Sequence, residues 1–412
     1  MADGKISRSD MTRRGFLATA AGAAAAATVT IAKPSLVRGY DANAKIALGV
    51  IGSGGRGNWI ANLFNKHGGY EIVSAGDYFK DRVDRLGNRF KLPDSRRHTG
   101  LNNHAKVLAD KVDAVAIESP PYFHPIQAAA AVEAGKHVYV AKPIAVDVPG
   151  CLTIGEAGRK ATRKKLVFVV DFQTRAEPIY QEAVKRTRNG DVGRVVNGVA
   201  CYYCGFMFGN QWKQIGAKPG DNETRLRCWQ SDQALSGDII TEQHIHAIDV
   251  ACWFMDCDPE DAVGTGGRKL RKGDGIIYEH FNLVYRFSNG VPISFTGCQF
   301  GKGSNDIGCW IHGSRGTADT HYFGHVKILG DAPYAGGTMK NLFTQGAVNN
   351  IATFHESIGK GKVDNPTVAP SVRSNLTTIL GRTAAYTGKQ VTFRQIMDAK
   401  DTVPDRTKGL KA

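Results

Sequence analysis

The stretch Lys45-Ile46-Ala47-Leu48-Gly49-Val50-Ile51 is a short apolar strand pattern. It runs directly into Gly52-Ser53-Gly54-Gly55-Arg56-Gly57, and a helical pattern follows from Asn58 to Phe64. No other feature of the chain narrows the possible folds as far. In a G-x-G-x-x-G turn between strand and helix, Gly52 permits the tight turn, Gly54 lets the backbone approach a pyrophosphate, and Gly57 lets the helix pack close to the strand. Gly55 and Arg56 complete the loop, and a diphosphate there meets the unpaired N–H groups of the helix. A second strand pattern, Tyr70 to Ala75, ends in Gly76-Asp77, and Asp77 lies twenty residues beyond Gly57, where a ribose-binding acid belongs. Its carboxylate would accept hydrogen bonds from the adenosine ribose and repel a 2'-phosphate, so NAD is favoured over NADP. The basic residues Lys80 and Arg82 soften that preference. Asp77 also has the position to cap a helix over 79–88, and the two roles are compatible.

Two further strand patterns, Val112 to Ile117 and His137 to Val140, flank a helix from Ile126 to Ala134, the alternation of a parallel sheet with crossovers. Ligands of such sheets bind at the carboxyl ends of the strands. That places Ser119, Pro120 and His124 after one strand and Ala141-Lys142-Pro143 after the next, beside the nicotinamide end of a dinucleotide. His124 reads first as a helix cap. Beyond Leu166 to Phe172, the alternating runs Val195 to Tyr203, Phe281 to Phe287 and Val291 to Phe295 read as strands, with a hairpin turn at Ser288-Asn289-Gly290 and one covered face.

A chain of 412 residues, 42% apolar and 22% charged, is globular and long enough for two domains. The division expected is 1–40 as an address segment, 41–171 as the dinucleotide domain and 172–412 as a substrate domain. The address is read from Arg13-Arg14-Gly15-Phe16-Leu17 and the weakly apolar run Ala18 to Ala32, which resemble a twin-arginine export signal and imply a periplasmic or otherwise exported protein. No run approaches the ~20 apolar residues of a spanning helix. The net charge is +15, but no basic stripe with interleaved aromatics appears, so nucleic acid is not an expected partner. Eight scattered cysteines read mostly as buried thiols.

The run Gly237 to Trp253 reads as one helix opened by a Gly-Asp cap. On it Glu242, His246, Asp249 and Trp253 share a face, and His244 points nearly opposite. A metal held by His244 and His246 is disfavoured by that geometry, and Cys201 with Cys204 lacks a second CxxC. No metal site is expected.

The strand-GxGxxG start, the turn Pro121 to His124, Ala134-Gly135-Lys136-His137-Val138, the Lys-Pro at 142–143, Phe172-Gln173-Thr174-Arg175, Gly237 to Asp249 and Leu380-Gly381-Arg382 together resemble the glucose-fructose oxidoreductase, inositol dehydrogenase and MocA (Gfo/Idh/MocA) superfamily. The resemblance covers nearly everything after residue 44. It implies an α/β fold, with a Rossmann domain followed by an α+β domain built on an open, mostly antiparallel sheet. It also implies NAD between the two, a carbohydrate substrate and a homo-oligomer. The family's usual Glu-Lys-Pro is Ala141-Lys142-Pro143 here, so Lys142 is expected to be less anchored. By the same resemblance Glu242 and His246 match the spaced acid and histidine of the catalytic helix. His246 is then the proton-transfer residue, Asp249 or Glu242 its partner, and Lys142 the donor to the reacting oxygen. Arg175, Trp212 and Trp229 are candidates to bind the sugar.

Three activities follow from that implication. The first is an exported NAD-dependent sugar oxidoreductase. The second, known among relatives, is a glycoside hydrolase that oxidises C3 transiently with a tightly held NAD and no net redox. The third is a sugar- or nucleotide-binding protein that has lost catalysis through Ala141.

Overall fold

The computed structural model describes residues 45–299, 303 and 305–412, so the export segment expected over 1–40 lies outside the described residues. Strands β1 (Ile46–Ile51), β2 (Tyr70–Gly76), β3 (Arg97–His98), β4 (Ala114–Ile117), β5 (His137–Ala141) and β6 (Phe168–Asp171) form a sheet in the order β3-β2-β1-β4-β5-β6. Every pairing in it is parallel. Its crossover helices include α1 (Gly55–His67), α2 (Lys80–Arg89), α3 (Asn103–Ala109), α4 (His124–Glu133) and α5 (Val148–Arg163). Burial on both faces explains the continuous apolar strands. Val115, Ile117, Val138 and Val140 face the core shared with α4 and α5, while Ala114, Ala116 and Tyr139 face the one shared with Ile60 and Phe64 of α1.

After α6 (Pro178–Arg188) the chain builds a nine-stranded sheet from β7 (Val195–Cys204), β8 (Pro259–Gly267), β9 (His280–Phe287), β10 (Pro292–Gln299), β11 (Asp306–Gly313), β12 (Gly316–His321), β13 (His325–Gly330), β14 (Tyr334–Thr338) and β15 (Val391–Thr392). The order is β14-β13-β12-β11-β7-β10-β9-β8-β15. All neighbours are antiparallel except β7 and β10. The two-residue alternation is plain in β9, where Phe281, Leu283, Tyr285 and Phe287 are buried and Asn282, Val284 and Arg286 exposed. One face of this sheet is covered and the other is open.

The first sheet closes at Asp171, but its core draws on the carboxyl-terminal part of the chain. Helix α9 (Leu342–Lys360), which follows α7 (Asp238–Glu242) and α8 (Ile245–Met255), inserts Ala347, Ile351 and Phe354 beside Phe64 and Tyr139. Helix α10 (Val368–Thr387) packs against both α5 and the covered face of the second sheet. Five of the eight cysteines are buried and all eight are free thiols. No described helix is long and apolar enough to cross a membrane.

Candidate active site

The phosphate loop has the form its glycines require. Gly52 adopts φ +93°, and a Cβ on it would lie 2.3 Å from the Ser119 nitrogen. A Cβ on Gly57 would lie 1.8 Å from the Gly52 carbonyl oxygen, so the helix could not approach the strand with any larger residue. Gly54 and Gly55 behave oppositely. A Cβ at Gly55 would meet nothing within 4 Å, and one at Gly54 only the end of Arg82, at 3.9 Å. Open space above a helix N-terminus without an acidic residue in its first turn suits a diphosphate.

Asp77 ties this loop to the end of β2. Its carboxylate accepts from the Ser53 N–H (2.8 Å) and the Phe79 N–H (3.0 Å), so it also steadies the entry to α2. Burial pushes its pKa up, opposed by Arg82 and the two backbone N–H groups. A cleft opens here, lined by Gly52, Asp77, Phe79, Ser119, Pro120 and Phe123 among others. Those residues fit the adenosine half of NAD: an acid for the ribose, aromatic walls for the base, and glycine backbone for the phosphates. His124 lies deeper. Its Nδ1 is 2.8 Å from the Pro143 carbonyl and its Nε2 is 2.7 Å from that of Ser119, so the ring sits between the turns after β4 and β5 and its N–H donates to one of them. Burial draws its pKa down to about 4.

At the carboxyl ends of β4, β5 and β6 stand Glu118, Lys142 and Asp171. Arg56 reaches from the phosphate loop to pair with Glu118 (2.8 Å) and with Asp171. Asp171 also accepts from Asn350 (2.8 Å) and Gln173 (3.0 Å), and Gln173 in turn receives the Tyr322 hydroxyl (3.3 Å). Glu118, Asp171, Gln173 and Tyr322 were not legible as site residues. The available signal was a carboxylate directly after, or at the last position of, a buried apolar strand.

The Arg56 network predicts a pH effect. Burial, with the Asp171 charge adding to it and Arg56 opposing, pushes Glu118 up to about 7. Between the ordinary carboxylate range and that value the folded chain binds a proton that the unfolded chain has lost, so stability falls as pH rises through this window. Buried neutral histidines such as His124 and His246 oppose this trend and titrate alike in a Glu118→Gln variant, so the melting-temperature difference between wild type and Glu118→Gln should shift against the wild type between about pH 5 and 7. An unchanged slope in the variant rejects the assignment.

Lys142 is better anchored than the sequence leads one to expect. Its ammonium donates to the Glu242 carbonyl and lies 3.7 Å from that residue's carboxylate, so Glu242 supplies the negative charge missing at Ala141. Burial draws the lysine's pKa down, with Glu242 opposing. The Glu242 carboxylate also accepts from Gln243, whose own carbonyl oxygen takes the Tyr202 hydroxyl (2.6 Å).

The single helix expected over 237–253 is broken into α7 and α8 at Gln243 and His244. Glu242 therefore belongs to Lys142, and the four-residue spacing to His246 does not pair them. His246 is buried with its ring 5.1 Å from Tyr322, and its Nδ1 has no hydrogen-bond partner among the described residues. Burial, joined by the positive charges of Lys142 and Arg56, holds its pKa well below the usual range and keeps the imidazole neutral. A small cavity of about 10 Å³ lies behind it, against β11 and β12. His244 turns instead to β9 and β10, where a Cβ on Gly297 would lie 2.6 Å from its ring.

Asp249, expected as a partner for His246, has other partners. It takes a bidentate pair from Arg175 (2.8–3.1 Å) and the Ser374 hydroxyl (2.7 Å) and is fully buried. Arg175 is thereby held in an ion pair with Asp249 beside Trp253, through its Nε and one terminal nitrogen. Trp212 packs on the main core, and Trp229 joins Phe79, Leu226 and Leu235 in a small cluster beside the adenosine cleft.

A glycine loop at a helix N-terminus, a ribose acid, and a buried lysine with a neutral histidine nearby define a dinucleotide-dependent oxidoreductase. Residues 46–172 match the family model of the oxidoreductase family with an NAD-binding Rossmann fold, and residues 180–319 match the GFO/IDH/MocA C-terminal domain. The chain belongs to the Gfo/Idh/MocA family and binds NAD. It is 28% identical over 275 residues to inositol 2-dehydrogenase of Serratia proteamaculans, covering 66% of this chain and 72% of that one. The solved structure of Lactobacillus casei scyllo-inositol dehydrogenase with NAD(H) and scyllo-inositol shares the fold at TM-score 0.66 and 18% identity, covering 85% and 100% of the two chains. Levoglucosan dehydrogenase with NADH and levoglucosan does so at TM-score 0.67 and 18% identity, with the same coverage.

Proposed function

We propose that the protein is an exported, NAD-dependent oxidoreductase acting on a ring hydroxyl of a sugar or cyclic polyol. The observation that carries this reading is the buried lysine at the carboxyl end of β5, tied to Glu242 and sharing its electrostatic field with the neutral imidazole of His246. Bound NAD supplies a hydride acceptor for the ring carbon. Lys142 donates a hydrogen bond to the hydroxyl oxygen and stabilises negative charge developing there, and His246 takes the proton. Substrates of the relatives, inositols and levoglucosan, support a polyhydroxylated ring as the class.

The Arg13-Arg14 motif supports export, and an exported chain has no evident free NAD pool. That favours a second reading, in which a tightly held NAD is reduced and reoxidised within one glycoside cleavage. Nucleotide released by denaturing the purified protein should be quantified, and the protein then given NAD with inositols, hexoses, levoglucosan and chromogenic glycosides. Steady NADH formation with a ring polyol is the expected result. Aglycone release without net NADH, from a chain carrying stoichiometric nucleotide, would establish the hydrolytic reading. No hydride exchange with any sugar would leave a binding protein.

A further inference from the structure

The open face of the second sheet carries a histidine and carboxylate cluster whose members take no part in the Lys142 and Arg56 contacts. Asp319 and His321 alternate along β12 and so share one face, and the turn at 322–324 brings His325 of β13 opposite them. The His321 Nδ1 is 2.7 Å from an Asp306 oxygen and its Nε2 3.1 Å from an Asp319 oxygen. The His325 Nε2 is 2.7 Å from the other Asp319 oxygen. Gly308 of β11 lies directly across from His321, and its missing side chain leaves the ring room to lie there.

Two imidazoles and two carboxylates thus converge on one spot at the sheet surface. A divalent cation between the two Nε2 atoms and Asp319 would meet donors already gathered there. His321 Nδ1–H then donates to Asp306, the outer carboxylate that commonly fixes the tautomer of a metal-bound histidine. We propose that Asp319, His321 and His325 form a binding site for a zinc-class divalent metal ion, oriented by Asp306.

The donor set is two imidazole nitrogens and one carboxylate oxygen, and all three ligand atoms lie within 4.8 Å of one another. Ligand atoms about ~2 Å from a tetrahedral zinc stand somewhat over ~3 Å apart, so a small opening of the present contacts admits the ion. Entry is from the His325 side, where that side chain is 42% exposed. Lys327 lies 3.6 Å from Asp319 and is the cation the metal displaces. His321 and His325 have an H-x3-H spacing, but no CxxC accompanies it and Asp306 lies on a different strand, so the cluster emerges only from the sheet pairing.

The test is equilibrium dialysis of the tag-free full chain against Zn²⁺, with bound metal measured per chain. Trp310 stacks edge-on to His321 at 5.0 Å, so quenching of its fluorescence by Co²⁺ gives a second readout. One Zn²⁺ per chain is expected, with loss of at least ~100-fold in affinity for the H321A/H325A variant and ~10–100-fold for Asp306→Asn. Should the double variant fail to fold, the exposed single change His325→Gln tests the same ligand. Absence of Zn²⁺ from the wild-type chain, or equal binding by the histidine variants, overturns the proposal.

Discussion

His246→Ala should lower kcat for sugar or polyol oxidation by at least ~100-fold and leave NAD(H) affinity unchanged. The magnitude is that of a single positioned proton-transfer group. The selectivity follows from placement: His246 sits on α8 against Tyr322 and the second sheet, whereas the groups that fit NAD stand on the β1–α1 loop and at the end of β2. The folded state should tolerate the change, because removing the ring takes away an Nδ1 that has no hydrogen-bond partner among the described residues. Steady-state assays with a dinucleotide fluorescence titration measure both quantities. An unaltered kcat would remove His246 from the chemistry, while loss of NAD binding would place its role in the cofactor site.

Gly57→Ala should abolish NAD binding and cost about 3 kcal/mol or more of stability. The added Cβ would lie 1.8 Å from the Gly52 carbonyl oxygen and 2.9 Å from its carbon. Both are backbone atoms of the phosphate loop, so no rotamer change relieves the clash and the helix must move off the strand. Gly55→Ala is the matched control: its Cβ meets no atom within 4 Å and it stands at the first position of α1, so the melting temperature should hold. Equal stability of the two variants would mean that the close β1–α1 approach does not govern the loop.

The carboxylates along the dinucleotide crevice show how far local pattern reaches. Asp77 is legible because a fixed distance from a glycine loop gives it a role, and its carboxylate accepts from the Ser53 and Phe79 N–H groups. Glu118 and Asp171 carry no such spacing. They gain meaning only when three parallel strands bring their carboxyl ends beside Arg56, a juxtaposition spanning 115 residues of chain in the case of Asp171. The helix break at Gln243 and His244 was equally hidden. Polar residues at helical spacing do not report that His244 will turn toward Gly297, where a glycine on another strand makes room for its ring.

From the sequence alone came the period of each strand, the glycine loop with its acid, and the resemblance that predicted two sheets of opposite character. These are local properties, set by steric freedom at single residues and by alternating burial. Tertiary structure decided which charge meets which. It gave Lys142 the carboxylate of Glu242 in place of the one absent at Ala141, took Asp249 away from His246 by pairing it with Arg175, and set His321 between two carboxylates. Ion pairs and hydrogen bonds act over a few ångströms between residues far apart in the chain, so their partners are chosen by packing rather than by any pattern along it.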